Sequence, residues 1–362
     1  MALFSYAVLA ISVYAYCGAA TTNALHHYVG VDTPWWVWTG LTALLVAWLG
    51  YRDIELSSKV LGLLLIGEVA VILVLDVAVI ARGGQSSLTW SPLSPVAASE
   101  GSPGIGLMFA FFGFIGFEAT AVFRDETRDP DRTIPRATYI AVISIGLFYA
   151  LSSSAIAMGS GVTHIVSDST ADPEGLVVTM AGHYVLPVLG DIVQVLLVTS
   201  LFACVLSFHN VVTRYQYALG TEGVLPARLG EIHPEHNAPS WSSLTQSAVS
   251  GAALIVVTVA GLDPVTEIYA WLSGAATLGL LLMSLTSLAV IVYFARHGTG
   301  LSRLRTLVAP ALALAGLTTV TVLVVDNFPL LVGGTAVAWG MAGAVVLSFA
   351  VGVALSRRGG AP

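Results

Sequence analysis

This sequence predicts an all-α, polytopic membrane fold, on three observations. Hydrophobic residues make up 56% of its 362 residues and charged residues only 10%, where a soluble domain carries about 25% charged residues. The mean hydropathy is +0.86. The apolar residues fall into runs of about 17–26, close to the roughly 20 residues that carry a helix across a bilayer at 1.5 Å each.

Ten such runs are read as helices, over about 3–26, 34–50, 58–82, 103–123, 137–160, 185–212, 243–261, 266–294, 306–325 and 329–355. The first starts at Met1 without a basic leader and is long enough to span, so no cleavable signal peptide is predicted. The second is short and opens on Trp35, Trp36 and Trp38, the amphipathic rings that anchor at a membrane interface. Glu68 lies well inside the third, and Asp76 two turns further out, nearer the interface. The fourth carries Gly104, Gly106, Gly113 and Gly116. Residues 83–102 are rich in Ser, Pro and Gly and read as coil. Residues 161–184 hold Asp168, Asp172 and Glu174 without Lys or Arg and read as a solvated loop. The loop at 213–242 is too short for a domain.

Basic residues orient this array. With the N-terminus in the cytoplasm, the inner side receives Arg52, Lys59, Arg124, Arg128, Arg132, Arg136, Arg214, Arg228, Arg296, Arg303, Arg305, Arg357 and Arg358, and the outer side only Arg82. That asymmetry follows the positive-inside rule and supports an even helix count with both termini cytoplasmic.

Several functions are excluded by what the pattern lacks. The basic residues are scattered among short loops and form no nucleic-acid patch. Cys17 and Cys204 both lie in apolar segments, as packing residues do, with no zinc or disulfide spacing. EIHPEH is not the HExxH pattern that puts two imidazoles on one helix face. Val188-Leu189-Gly190-Asp191 lacks the first glycine of a GxGD protease element, so hydrolysis through Asp191 ranks last. No nucleotide loop and no cofactor are implied, and the chain is read as a non-enzyme.

The informative stretch is MFAFFGFIGFEATAVFRDETRDPDRTIPR, from Met108 to Arg136. Lipid offers no partner to freed backbone groups, so an interrupted helix survives only where it lines a cavity or is buried in protein. A break at Gly113–Phe117 leaves two half-helices: the carbonyl end of one favours cations, and the N–H end of the other favours anions. A zwitterion suits both. Glycines in membrane helices also serve close packing alone, and the residues by themselves leave both readings open. Glu118 follows directly. An acid near a helix centre costs roughly 2.5–3.5 kcal/mol on insertion scales, so Glu118 and Glu68 should face protein, either as proton carriers or as structural hydrogen-bond partners. Phe111, Phe112, Phe114 and Phe117 crowd the break, as core packing or as the wall of a pocket. Tyr6 and Tyr14 reach inward on similar helix faces. Ser207, His209 and Asn210 cluster near a membrane boundary, for interfacial hydrogen bonding or ion coupling.

The segment GLMFAFFGFIGFEATAVFRDETRDPDRTIPRATYIAV, with its GFIGFEA core and IPRA at Ile134–Ala137, resembles the sixth transmembrane helix and following loop of amino acid–polyamine–organocation (APC) permeases. SFHNVVTRYQYALGTEGVLPARLGEIHPEHNAPSW is similar to that family's eighth helix and loop, with Gly223, Leu225 and Pro226 of its G-x-LP signature. WWVWTGLTALLVAWLGYRDIELSSKVLGLLLIGEVAVILVL resembles its fourth and fifth helices.

The resemblance implies a leucine-transporter-type fold of twelve helices, ten of them in two inverted repeats, with helices one and six unwound around the substrate. Residues 1–82 then correspond to family helices 3–5, 103–294 to helices 6–10 and 306–355 to helices 11–12, all in one transmembrane domain that lacks family helices one and two. It further implies a secondary transporter of amino acids or related amines in the plasma (inner) membrane. Its partners are a small-molecule substrate, a proton or other coupling ion and the bilayer. The substrate residues carried over are Phe112, Gly113, Phe114, Ile115, Gly116 and Phe117, with Tyr6 as a substrate-facing aromatic. Glu118 matches an acidic position tied to proton coupling, with Glu68 as the alternative. Missing helices would expose surfaces built to face protein, which predicts self-association. The alternative reading is a non-transporting partner subunit or a relic fragment.

Overall fold

The computed structural model describes residues 1–52, 54–85, 89, 91–94, 96, 103–117, 127–172, 175–235, 238–282, 284–297 and 302–358. Among these the structure is helical and contains no strand. The helices are α1 (Ala2–Val29), α2 (Trp35–Arg52), α3 (Ile54–Arg82), α4 (Pro103–Gly113), α5 (Pro130–Ser160), α6 (Ile165–Ala171), α7 (Leu176–Tyr184), α8 (Pro187–Thr221), α9 (Ser240–Val259), α10 (Ala270–Leu281), α11 (Ser284–His297), α12 (Ala309–Leu331) and α13 (Thr335–Arg358). π-helical turns at Pro264–Tyr269 and Leu304–Val308 lead into α10 and α12.

Eight described spans are long and apolar enough to cross a membrane, with α10 and α11 counted in one span over Pro264–His297. The other two of the ten expected helices exist but fall short of that measure. Polar and aromatic residues dilute α2, and α4 is 11 residues long because it stops at Gly113.

Four expectations need correction. The helix expected at 266–294 is not continuous: it begins as a π turn and passes through a turn at Leu282. The helix expected from 137 begins at Pro130, a residue whose missing N–H suits the first helical position. Arg132 and Arg136 therefore ride on a helix and not in a loop. The helix expected to end at 212 runs on to Thr221, and its polar extension is buried. The stretch 161–184, expected to be a solvated loop, forms α6 and α7. Ser160 Oγ donates to Asp168 Oδ2 at 2.5 Å, and Met180, Ala181 and Tyr184 of α7 are buried.

The chain folds into two compact units that interleave in sequence. One comprises Met1–Ala15, Ser102–Ile115 and Phe208–Pro362. In it α4 packs on α10 and α12, and α11 packs on α12. Met108, Leu278, Leu281 and Val324 form one apolar cluster, and Phe328, Val332 and Ala338 another. The other unit comprises Tyr16–Gly101 and Gly116–Ser207. There α3 packs on α5 and α7, around Leu75, Val79, Met158, Met180, Tyr184 and Val193. The Tyr184 hydroxyl donates to the carbonyl of Gly159 at 2.7 Å, so the buried phenol is satisfied.

Small residues set the closest approach. A Cβ on Gly18 would lie 2.6 Å from the Trp35 carbonyl oxygen and press on the Thr39 side chain. We expect Gly18→Val to separate α1 from α2 at a cost of about 1–3 kcal/mol, read as a lower midpoint of thermal unfolding in detergent. An unchanged midpoint would mean that the two helices are not in contact there.

Asp263 caps the turn that starts at Pro264. Its Oδ1 accepts from the backbone of Val265 (3.0 Å) and Thr266 (2.7 Å) and from the Thr266 hydroxyl (2.8 Å), while its own N–H donates to Glu267 Oε2 at 2.7 Å. Partial burial works to raise this carboxyl's pKa, but the hydrogen bonds from Thr266 and Val265 outweigh it and hold the carboxyl below its ordinary value. Asp263→Ala should cost about 1 kcal/mol of stability. A depressed pKa stabilises above the unfolded value, about 3.9, and that contribution is lost as pH falls through the folded value. The stability gap between wild type and Asp263→Ala should therefore narrow in acid; a gap independent of pH would remove the carboxylate from the account.

Candidate functional site

The fourth membrane segment breaks where its glycines stand. α4 ends at Gly113, and the chain then closes two tight turns, Phe114 N–H to Phe111 O at 3.0 Å and Ile115 N–H to Phe112 O at 3.1 Å. Gly116 follows with φ +109°, in a region that side chains disfavour. Residues 111–117 are all half-buried. The negative end of the α4 dipole points into the break, where it favours a cationic group. The Phe112 ring meets Tyr269 edge-on, with centroids 6.3 Å apart at 90°. Glu118 lies outside the described residues.

The site residues read from sequence divide between the two units. Tyr6, Phe112, Gly113, Phe114 and Ile115 belong to the first; Gly116, Phe117 and Glu68 belong to the second. Tyr6 is fully buried, tilted against Phe208 at 5.7 Å and stacked on Tyr215 at 6.1 Å. Tyr14 is likewise buried.

The first unit also holds a buried polar seam where α8 faces α9. His209 is 1% exposed, and its Nε2 is 2.9 Å from Ser243 Oγ. Gln246 donates to Ser250 Oγ at 2.9 Å, and Asn210, Thr213, Arg214 and Gln216 are buried along the same run of α8. His209 and Asn210 therefore belong to a protein-enclosed seam and not to an interfacial cluster.

In the second unit, α3 presents Glu68 and Asp76 to protein. Glu68 is half-buried and accepts from Ser200 Oγ of α8 at 2.9 Å. Asp76, expected near the interface, is fully buried: Oδ2 accepts from Ser152 Oγ of α5 at 2.6 Å, and Oδ1 has no hydrogen-bond partner. Burying an acid is tolerable only beside such donors. Glu68 opens on a cavity of about 320 Å³ walled by Tyr16, Val71, Ile72, Val177, Val178, Val193, Leu196, Leu197 and Ser200. A more polar cavity of about 500 Å³ adjoins it through Val178 and Leu197 and is lined by Asn23, His27, Tyr28, Asp172, Thr179 and Gln194. Asp191, weighed above as a protease residue, accepts from the Tyr28 hydroxyl at 3.0 Å.

Sequence reasoning missed the partners more than the principals: Ser200, Ser152, Tyr215, Tyr269 and the α9 stripe. That stripe was visible as Ser243, Gln246 and Ser250, at i, i+3 and i+7 on one face of an apolar helix. A lone serine among apolar residues, such as Ser200, carries no comparable signal.

Residues 1–355 match the amino acid permease family. Over 216 residues the chain is 28% identical to the branched-chain amino acid permease BcaP of Bacillus subtilis (strain 168), covering 57% of this chain and 43% of that protein. It is 25% identical over 218 residues to BcaP of Lactococcus lactis subsp. cremoris (strain MG1363), covering 59% and 45%. It is 21% identical over 151 residues to the low-affinity putrescine importer PlaP of Escherichia coli (strain K12), covering 41% and 32%. The chain thus spans less than half the length of these curated relatives. The family match nonetheless runs through the interrupted helix and the membrane helices on both sides of it, and by that match the chain belongs to the amino acid permease family.

Proposed function

We propose that this chain forms the transmembrane body of a secondary transporter for amino acids or related amines. It would work by alternating access around the break at Gly113–Phe117. The observation that carries this reading is the interruption itself. α4 stops at Gly113, Gly116 turns at φ +109°, and four phenylalanines crowd the turn within a chain that matches amino acid permeases. A helix dipole whose negative end is aimed at the break gives an ammonium its counter-charge, and one bundle rocking against another exposes such a site to each side in turn. Branched-chain amino acids and putrescine, named for the relatives, fall within that chemistry.

Phe112, Gly113, Phe114, Ile115, Gly116 and Phe117 are assigned to the substrate, with Tyr6 supporting from its buried ring cluster. Proton coupling is assigned to Glu118 or Glu68. The inverted-repeat division at 1–82, 103–294 and 306–355 belongs to the same reading. So does placement in the plasma (inner) membrane with both termini cytoplasmic, on the asymmetry of basic residues.

The test is uptake of labelled leucine and putrescine by proteoliposomes under an imposed pH gradient. Gly116→Ala should strain the turn by roughly 1–3 kcal/mol and sharply reduce uptake in a protein that still folds. Glu118→Gln or Glu68→Gln should remove the dependence on the gradient. Wild-type chain in sealed vesicles that moves neither solute would sink the transporter reading, and gradient-driven uptake intact in both variants would remove the acids' role.

A further inference from the structure

We propose that the cavity at Glu68 is a binding site for an aliphatic amine, distinct from the broken helix, in which the ammonium and a proton compete for one carboxylate. The cavity volume of about 320 Å³ lies in the ~300–1,000 Å³ range of small-molecule sites. Its wall is nearly all valine, leucine and isoleucine, which suits an alkyl body. Two of its polar groups, Glu68 and Ser200, are hydrogen-bonded to each other and so stand at one place, which suits a single head group. Ser200 Oγ donates to Glu68 Oε2 at 2.9 Å, so the carboxyl is held in place.

The sign of the head group follows from what the wall lacks. None of the described lining residues is Lys, Arg or His. A carboxylate placed there would meet Glu68 and no cation, so a zwitterionic amino acid fits less well than the amine of the same alkyl chain. The neighbouring space is polar. The adjoining cavity of about 500 Å³ shares Val178 and Leu197 with this one and is lined by Asn23, His27, Asp172 and Gln194. A polar ligand can wait there, which a lipid tail would not do.

The groups around Glu68 bear on its titration. Tyr16 faces it from α1. Cys204 of α8 lies nearby as a neutral thiol, with Tyr149 of α5 beside it. α7 faces the cavity with Val177 and Val178. On α3 itself Asp76 stands eight residues on, about 12 Å along the axis. In the outer cavity stand His27, Tyr28 and Asp172. Glu68 is thus the anionic group in contact with the cavity. Its carboxylate takes either one proton or one ammonium, so binding of the amine to the protonated form releases one proton and breaks no covalent bond.

The experiment is calorimetric titration of the purified chain in nanodiscs with isoamylamine, leucine and the uncharged isostere isoamyl alcohol, at several pH values. Isoamylamine should bind best, and its apparent affinity should fall up to tenfold per pH unit on the acid side of the Glu68 titration. Glu68→Gln should weaken it at least ~10-fold and abolish that slope. Leu197→Trp, which fills the cavity and leaves the carboxylate, should also block binding, and it keeps the test open if Glu68→Gln fails to fold. Equal binding of isoamyl alcohol would mark a lipid-accepting groove and overturn the proposal, as would amine affinity unchanged in both variants. Binding is read without transport, so it is decided whether or not uptake through the broken helix is found.

Discussion

Everything in this structure answers to one constraint: the interior of a bilayer supplies no hydrogen-bond partner for a backbone amide or a buried acid. The constraint explains why the described secondary structure is helical. It also explains why departures from regular helix are informative. At Gly113–Phe117 the backbone closes its own turns with Phe111 and Phe112, and at Pro264 an aspartate supplies the acceptor that the first turn lacks. Each departure is locally repaired. The break in α4 coincides with a cluster of aromatic rings and with the dipole end of a membrane helix.

The same constraint governs the side chains. Glu68, Asp76 and His209 each sit inside protein with a serine hydroxyl within 3 Å, drawn from a different helix in each case: α8, α5 and α9. A serine is a small donor that costs little to bury once paired and leaves volume beside the acid. Beside Glu68 that volume is a cavity, whereas Asp76 stands within a packed wall, 0% exposed. Two acids on one helix, both hydrogen-bonded to serine, are thereby placed in different surroundings, and only the one with space next to it can exchange partners.

How much of this was legible beforehand depends on the range of the interaction. Helices were legible because hydrophobic runs are local, and the family resemblance rested on a contiguous motif, GFIGFEA, that the match over residues 1–355 supports. Glycine spacing is local too and marked where a break could fall, while leaving close packing as the other reading. Helix ends were not legible: Pro130 reads equally as loop or as first helical residue, and the burial that lets α8 continue to Thr221 comes from α9. The stretch 161–184 looked solvated because its acids are conspicuous, while Met180, Ala181 and Tyr184, which seat α7, are not. Partners across helices, such as Ser200 for Glu68 or Tyr269 for Phe112, are far apart in sequence and left no mark in it.

Cys204 sits one helical turn after Ser200 on α8, and it is one of only two sulfhydryls in the chain. The other, Cys17, follows Tyr16, which helps to line the same cavity. Thiols react as thiolates, and thiolates form where water and reagent can reach them. The unmodified protein therefore carries its own chemical clock. The rate at which a maleimide or mercurial consumes these two sulfurs reports how often this part of the protein interior is wetted, without a single engineered label.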